Sequence, residues 1–242
     1  MNALLSLWTW LEIALVALGG FCIQCVLALL TLAFDRRRLL VGRTFRLVGV
    51  VAARLTPYWD FGVVGPVSPV AGCTVVVSNH ESQADPFLIS HLPWEMKWLG
   101  KASLFRIPVV GWMMWLAGDV PVRRGDSASG KEAMAACARW LRRGVPVMIF
   151  PEGTRSADGA LLPFKDGAFR LAIETGAEVL PVAVVGTSQA LPKHSWRFRP
   201  AYARVSMGTP LSTRGLSLGD VETLKASARA QIERLRALAA AG

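Results

Sequence analysis

His80 and Asp85 stand five residues apart in the segment Ser78-Asn79-His80-Glu81-Ser82-Gln83-Ala84-Asp85-Pro86. One turn of loop or helix over that spacing brings the carboxylate to the imidazole. A histidine held by an aspartate is a general base near neutral pH. The aspartate fixes the tautomer and stabilises the imidazolium as it forms. No serine or cysteine is obviously placed as a nucleophile, and none is required, because the base can activate the hydroxyl of a bound substrate. The competing reading is a structural histidine, hydrogen-bonded near the end of a strand.

A second polar cluster, Phe150-Pro151-Glu152-Gly153-Thr154-Arg155-Ser156, also follows an apolar run. Gly153 lets backbone N–H groups approach a ligand closely. Arg155 offers a planar fork for a phosphate, and Thr154 a hydroxyl donor. Glu152 suits either the loop or a substrate hydroxyl. A plain turn with a surface arginine explains neither the glycine nor such dense polarity beside an oily strand. Lys101, and the stretch Gly118 to Arg124 ending in Val122-Arg123-Arg124, place further cations at the ends of apolar segments. The remaining histidines, His91 and His194, are not at metal-ligand spacing, so no metal is expected and a metal-assisted hydrolase is disfavoured.

These clusters need elements to hold them. Short apolar runs rich in β-branched residues alternate with helical patterns from Cys73 onward. Strands are expected at Cys73–Ser78, Asp119–Val122, Pro146–Phe150, Val179–Val185 and Ala203–Met207. Helices are expected at Pro86–His91, Ser127–Arg143 and Phe164–Thr175. That alternation predicts an α/β fold, a largely parallel sheet flanked by helices. Its functional groups should gather on loops at strand ends. The C-terminal stretch Asp220 to Ala239 has an apolar stripe of Val221, Leu224, Ala228, Ile232 and Leu235 and reads as a packing helix. Asp60 to Gly72, with its glycines and prolines, reads as a linker.

Hydrophobic residues make up 52% of the 242, and they are concentrated near the N-terminus. Ile13 to Phe34 contains no charged residue, enough helix to cross a hydrocarbon core. Positive charge follows the run, as Arg36-Arg37-Arg38, which disfavours a cleaved signal and places the following domain on the cytoplasmic side. Glu12, Gly19-Gly20 and Gln24 suit a helix dipping into one leaflet as well as one that spans. In Arg43 to Leu55, Arg43, Arg46 and Arg54 share one face, opposite Phe45, Val48, Ala52 and Leu55. That pattern is expected to lie in the interface with its arginines on lipid phosphates. Residues 1–57 are thus expected to be membrane-anchoring helices and 58–242 a catalytic domain. The net charge of +10, with scattered arginines and no nucleic-acid motif, favours anionic lipid over nucleic acid. The four cysteines include a CxxC, Cys22 and Cys25, inside the apolar run, where they read as small apolar residues.

Asn79-His80 with Asp85, then Phe150-Pro151-Glu152-Gly153-Thr154-Arg155, then Val179-Leu180-Pro181-Val182, resembles the glycerophospholipid acyltransferase family. The order and spacing are most similar to its bacterial and plastid 1-acyl-glycerol-3-phosphate acyltransferases, over about Cys73 to Pro210. The resemblance implies that His80 is the base and Asp85 its partner. It implies that Glu152, Gly153, Thr154 and Arg155 bind the glycerol-phosphate part of the acceptor, that Lys101 and Arg124 contact phosphate, and that Pro181 shapes the acyl-donor side. Arg123 stands where an acidic residue is common, which leaves open which of the two arginines faces the phosphate. The implied partners are a lysophospholipid acceptor, an acyl carrier protein or coenzyme A thioester as donor, and a bacterial-type inner membrane, with no other cofactor. Another lysolipid or glycerol 3-phosphate as acceptor, and a non-catalytic lipid-binding protein, are the alternatives.

Overall fold

Val75, Val76 and Val77 are completely buried at the centre of a seven-stranded sheet. The computed structural model describes residues 3–70, 72–156 and 159–241; Met1, Asn2, Ala71 (inside the expected linker), Ala157, Asp158 and Gly242 lie outside the described residues. The strands are β1 (Trp59–Val64), β2 (Thr74–Ser78), β3 (Lys97–Lys101), β4 (Val120–Val122), β5 (Val147–Ile149), β6 (Glu178–Val185) and β7 (Ala201–Met207), in the order β1-β7-β6-β2-β5-β3-β4. All neighbours are parallel except β6 and β7, so the sheet is mixed but largely parallel, as expected. Strands β2 to β6 therefore all finish at one edge.

Side chains alternate across the sheet, as the pleat requires. Val75, Val77, Val147, Ile149 and Val179 face one way, toward α5 (Ser127–Arg142), α6 (Gly167–Thr175) and α8 (Val221–Ala241). Val76, Met148, Leu180 and Val182 face the other way, toward the short helix α3 (Asp85–Ile89). Both faces are dry, which is why the central strands read as unbroken apolar runs.

Two expectations change. The linker Asp60 to Gly72 begins as β1, which adds to the sheet edge by pairing with β7, Trp59 opposite Ala201 and Val64 opposite Ser206. Glycine and proline dominate only after Val64. Strand β3 was read only as cations beside an apolar stretch. It is a strand that runs from the interior to the surface, and its first residue, Lys97, is a lysine held inside the protein. Two helices were also unforeseen, α4 (Val110–Ala117) and α7 (Thr187–Ala190).

The N-terminal helix α1 (Ala3–Leu30) is long and apolar enough to cross a membrane. It lies along the domain, however. Its buried stripe is small and polar: Ser6, Thr9, Ala17, Gly20 and Gln24. Ser6 Oγ accepts the Phe198 N–H at 3.2 Å, and Thr9 hydrogen-bonds the Tyr58 hydroxyl. Near the other end, Gln24 Nε2 donates to the carbonyls of Val41 and Met113, each at 3.1 Å. Eighteen residues separate Ser6 from Gln24, about 27 Å of helix, and both are tied to the same body. The leucines point outward instead: Leu4, Leu15, Leu29 and Leu30 are 60 to 76% exposed. A helix that buries its polar stripe and exposes its leucines has the pattern of one bathed in lipid.

Helix α2 (Leu39–Leu55) corrects the interfacial reading of its arginines. Arg46 is buried, ion-paired with Asp119 and with Glu95 at 3.5 Å. Arg43 donates to the carbonyls of Ser90 and Leu92. Arg43 and Arg46 thus face protein carbonyls and carboxylates rather than lipid phosphates, while Arg54 at the end of the helix is exposed.

Candidate active site

The loop after β2 folds on Asp85, whose side chain is wholly buried. Its Oδ2 sits 2.6 Å from His80 Nδ1 and accepts the Glu81 N–H at 2.8 Å and the Ser82 N–H at 3.1 Å. Its Oδ1 accepts from the Thr187 hydroxyl. Pro86, with fixed φ and no N–H to satisfy, starts α3 just behind it. With Asp85 accepting from Nδ1–H, the Nε2 lone pair is turned away from the carboxylate. The His80 ring lies flat on Phe150, centroids 4.1 Å apart and planes 18° off parallel. Carboxylate and ring contact together fix the imidazole in two directions.

The second loop grips the first. Glu152 Oε1 accepts the His80 N–H at 2.9 Å, and its Oε2 accepts the Leu162 N–H at 3.1 Å. Ser156 N–H donates to the His80 carbonyl at 2.9 Å. The peptide groups on both sides of His80 are thus held by residues 152 to 156. Glu152 is 4% exposed, and burial raises its pKa above the ordinary carboxylate value. Of the two uses considered for Glu152, the geometry shows the one that holds the loop. Gly153 takes φ +69° in the turn closed by its own N–H on the Phe150 carbonyl, a conformation that favours glycine.

Two cations meet nearby. Arg124 and Arg155 lie within reach of each other's charge: burial first, and then Arg155, lowers the Arg124 pKa. Among the described residues neither makes an ion pair. Arg123, by contrast, is spent on Asp126 at 3.0 Å, and Asp126 caps α5 through the Ser129 N–H. Of the two adjacent arginines, Arg124 is the one without an ion-pair partner among the described residues. Lys101 ends β3 opposite Val122, exposed on the same sheet edge, and the structure gives it no contact with the arginine pair. Thr154 is exposed at the loop tip. Among the described residues no three His, Cys, Asp or Glu side chains converge as metal ligands.

Three further residues were given no role by the sequence. Phe150, Thr187 and Asn79 all shape the site. Asn79 bridges to β6, its Oδ1 accepting the Val184 N–H and its Nδ2 donating to the Val184 carbonyl, both at 2.9 Å. Phe150 and Asn79 stood in the two motifs without a role, whereas Thr187 is 102 residues from Asp85.

Glu81 was also unassigned. Its Oε2 accepts the Gly186 N–H at 3.1 Å and its Oε1 lies 3.6 Å from Arg236 of α8. Burial, then the charge of Asp85, pushes its pKa up to about 7. Glu81 therefore takes up a proton on folding between its unfolded value of 4.5 and about 7. That contribution to stability is fully present below 4.5 and is lost as pH rises toward 7. In Glu81→Gln we expect thermal midpoints measured between pH 5 and 8 to lose this downward slope. An unchanged slope would contradict the assignment.

The Acyltransferase family model matches residues 64–185, half of the chain. A 1-acyl-sn-glycerol-3-phosphate acyltransferase of Chlamydomonas reinhardtii is 36% identical over 184 residues, covering 74% of this chain and 54% of that protein. A chloroplastic enzyme of the same name from Brassica napus is 42% identical over 121 residues, covering 50% of this chain and 35% of that protein. The chain thus spans about half or less of these curated relatives. The crystal structure of the 1-acyl-sn-glycerophosphate acyltransferase PlsC of Thermotoga maritima matches with a TM-score of 0.78 at 27% identity, over 98% of this chain and 96% of that one. With the His80–Asp85 pair, the 150–156 loop and the mixed sheet all present, the chain belongs to the acyltransferase family.

Proposed function

We propose that the protein transfers an acyl group from a thioester donor, acyl carrier protein or coenzyme A, to the free 2-hydroxyl of 1-acyl-glycerol-3-phosphate, giving phosphatidate. The observation that carries this reading is the grip of the 152–156 loop on the His80 peptide, because it ties the base to the loop bearing Arg155. A hydroxyl and a phosphate of one small acceptor would thereby be held at a fixed separation, the positioning that makes a reaction effectively unimolecular. The names of the relatives support the same acceptor.

The chemistry needs no protein nucleophile. His80 Nε2 takes the hydroxyl proton as the oxygen attacks the thioester carbonyl. The tetrahedral intermediate collapses, the C–S bond breaks and the ester forms. The departing thiolate takes the proton back from the imidazolium, so His80 ends as it began. Asp85 stabilises the imidazolium without itself being protonated. The outward leucines of α1 seat the protein on the membrane that supplies acceptor and takes product, with both ends of α1 on one side. We assign it to the cytoplasmic face of a bacterial-type inner membrane, because Arg36 to Arg38 beside that helix favour the anionic lipids of that leaflet.

The test is turnover by the detergent-purified chain with acyl carrier protein or coenzyme A thioesters against a panel of lysolipids and glycerol 3-phosphate. Product from 1-acyl-glycerol-3-phosphate alone supports the proposal; product from a different acceptor only would replace it. Arg155→Ala and Arg124→Ala should each raise the KM for this acceptor roughly ten- to a hundredfold, the loss of a charge-assisted hydrogen bond to phosphate. Arg123→Ala should change it little.

A further inference from the structure

A cavity of about 1190 Å³ opens at the edge of the sheet opposite His80. Six arginines line it: Arg36, Arg37 and Arg38 from the turn between α1 and α2, and Arg139, Arg142 and Arg143 from the end of α5. The sequence had offered the first three only as a topology signal. None of the six makes an ion pair among the described residues. Three acidic residues, Asp35, Asp119 and Glu132, share the lining with them, which leaves the cavity an excess of positive charge. Asp35 spends both oxygens on the Leu39 and Leu40 N–H groups at the start of α2. Asp119 is buried against Arg46 and the Trp98 N–H. Only Glu132 remains, exposed on the wall.

Basic residues in the last turn of α5 suit its helix dipole. That accounts for one half of the cluster and not for the three arginines brought to it from another segment. Several are also positioned. Arg38 Nη1 donates to the Trp115 carbonyl at 2.7 Å, and Arg143 lies over the Trp140 ring, 5.2 Å from its centroid. The rim is the second observation. Leu30, Leu32 and Phe34 beside the cavity are 70, 79 and 70% exposed, and Trp115 on its wall is 53% exposed. Cations backed by tryptophan and flanked by bare leucine match the layers of a bilayer edge: phosphate, interface and acyl chain.

We propose that this cavity binds the phosphate headgroup of an anionic membrane lipid, whose chains lie along Leu30, Leu32 and Phe34. The site is separate from the acceptor phosphate at Arg124 and Arg155, which follow β4 and β5, whereas the cavity lies at the start of β4 and the end of α5. That separation also argues against docking of an acidic acyl carrier, whose thioester must reach His80. The inference rests on the membrane seating of α1 and not on the identity of the acceptor.

The test uses the full chain and vesicles of phosphatidylcholine with and without phosphatidylglycerol. The triple variant Arg36→Gln/Arg139→Gln/Arg142→Gln is compared with a control, Arg170→Gln/Arg214→Gln/Arg234→Gln, that removes three exposed arginines outside the cavity. Wild type should prefer the anionic vesicles. The cavity variant should lose roughly a hundredfold of that preference, about a factor of five per arginine at an anionic surface, and keep its binding to phosphatidylcholine. The control should lose less than about threefold, because those charges lie outside the cavity and attraction between exposed charges is screened by salt. Equal losses in both variants would reduce the site to diffuse attraction and overturn the proposal. Dihexanoyl phosphatidylglycerol below its micelle concentration should raise the thermal midpoint of wild type and not of the cavity variant. An equal rise with inorganic phosphate would make the ligand free phosphate and overturn the lipid assignment. Loss of acyl-carrier-protein binding by the cavity variant, with the lipid preference intact, would make the cavity a protein dock instead.

Discussion

His80→Ala is expected to lower the rate of acyl transfer on the order of a thousandfold, with the thermal midpoint left within a few degrees of wild type. General base catalysis by a positioned side chain supplies roughly 10²–10⁴ in rate. All of that is lost with the imidazole, because no other histidine or cysteine stands in the loop. Folding should survive because the backbone groups of residue 80, rather than its ring, carry the links to Glu152 and Ser156. The substitution also frees Asp85 of only one of its several donors. Asp85→Asn is a less clean probe: it disturbs the loop as well as the base, since the Glu81 and Ser82 N–H groups lose a carboxylate acceptor. The expected pattern in single-turnover kinetics is a collapsed chemical step with acceptor affinity nearly unchanged. Wild-type turnover by His80→Ala would remove the base from the mechanism altogether.

His80 and Asp85 were legible because both sit in one short loop, so their spacing already limits their separation. The same holds for Gly153 and Arg155. The central strands were legible because burial on both faces leaves an unbroken apolar run. What escaped was set by contacts far along the chain. Thr187 and Arg236 come to Asp85 and Glu81 from the opposite half of the sequence, and nothing local marks them. Strand β3 escaped because Lys97 and Lys101 bracket it, and a lysine at a strand's first residue argues against a buried strand until its partners are seen. Helix α2 makes the same point differently. Periodicity placed Arg43 and Arg46 on one face, which is right, but periodicity does not say what lies opposite. Membrane phosphate and protein carbonyl are both acceptors, and only the fold chooses between them.

What the fold chose at α2 sets up the largest expected loss of stability. Arg46, Glu95, Lys97 and Asp119 form a buried group of two cations and two anions, with Lys97 wholly inaccessible. Lys97 Nζ donates to Glu95 at 3.1 Å and to the Arg38 carbonyl at 2.7 Å, while Asp119 also accepts the Trp98 N–H. Burial drives the Lys97 pKa down and the Glu95 pKa up, the partners opposing both shifts. Opposite charges at close range are what offset the burial of each group here. Lys97→Met leaves one anion too many in the interior, at a cost of about 3–5 kcal/mol. In a chain of this size that lowers the thermal midpoint by roughly 10 °C. Removing both members, Lys97→Met with Glu95→Leu, should recover most of that loss, because an apolar pair is often as stable as a buried ion pair. Differential scanning calorimetry on the two single variants and the double variant measures the coupling. Additive losses, with the double variant worse than either single, would show that the four groups act independently. A coupled recovery would show why the charges matter here: they fasten α2, and with it the turn that carries Arg36 to Arg38, to the starts of β3 and β4.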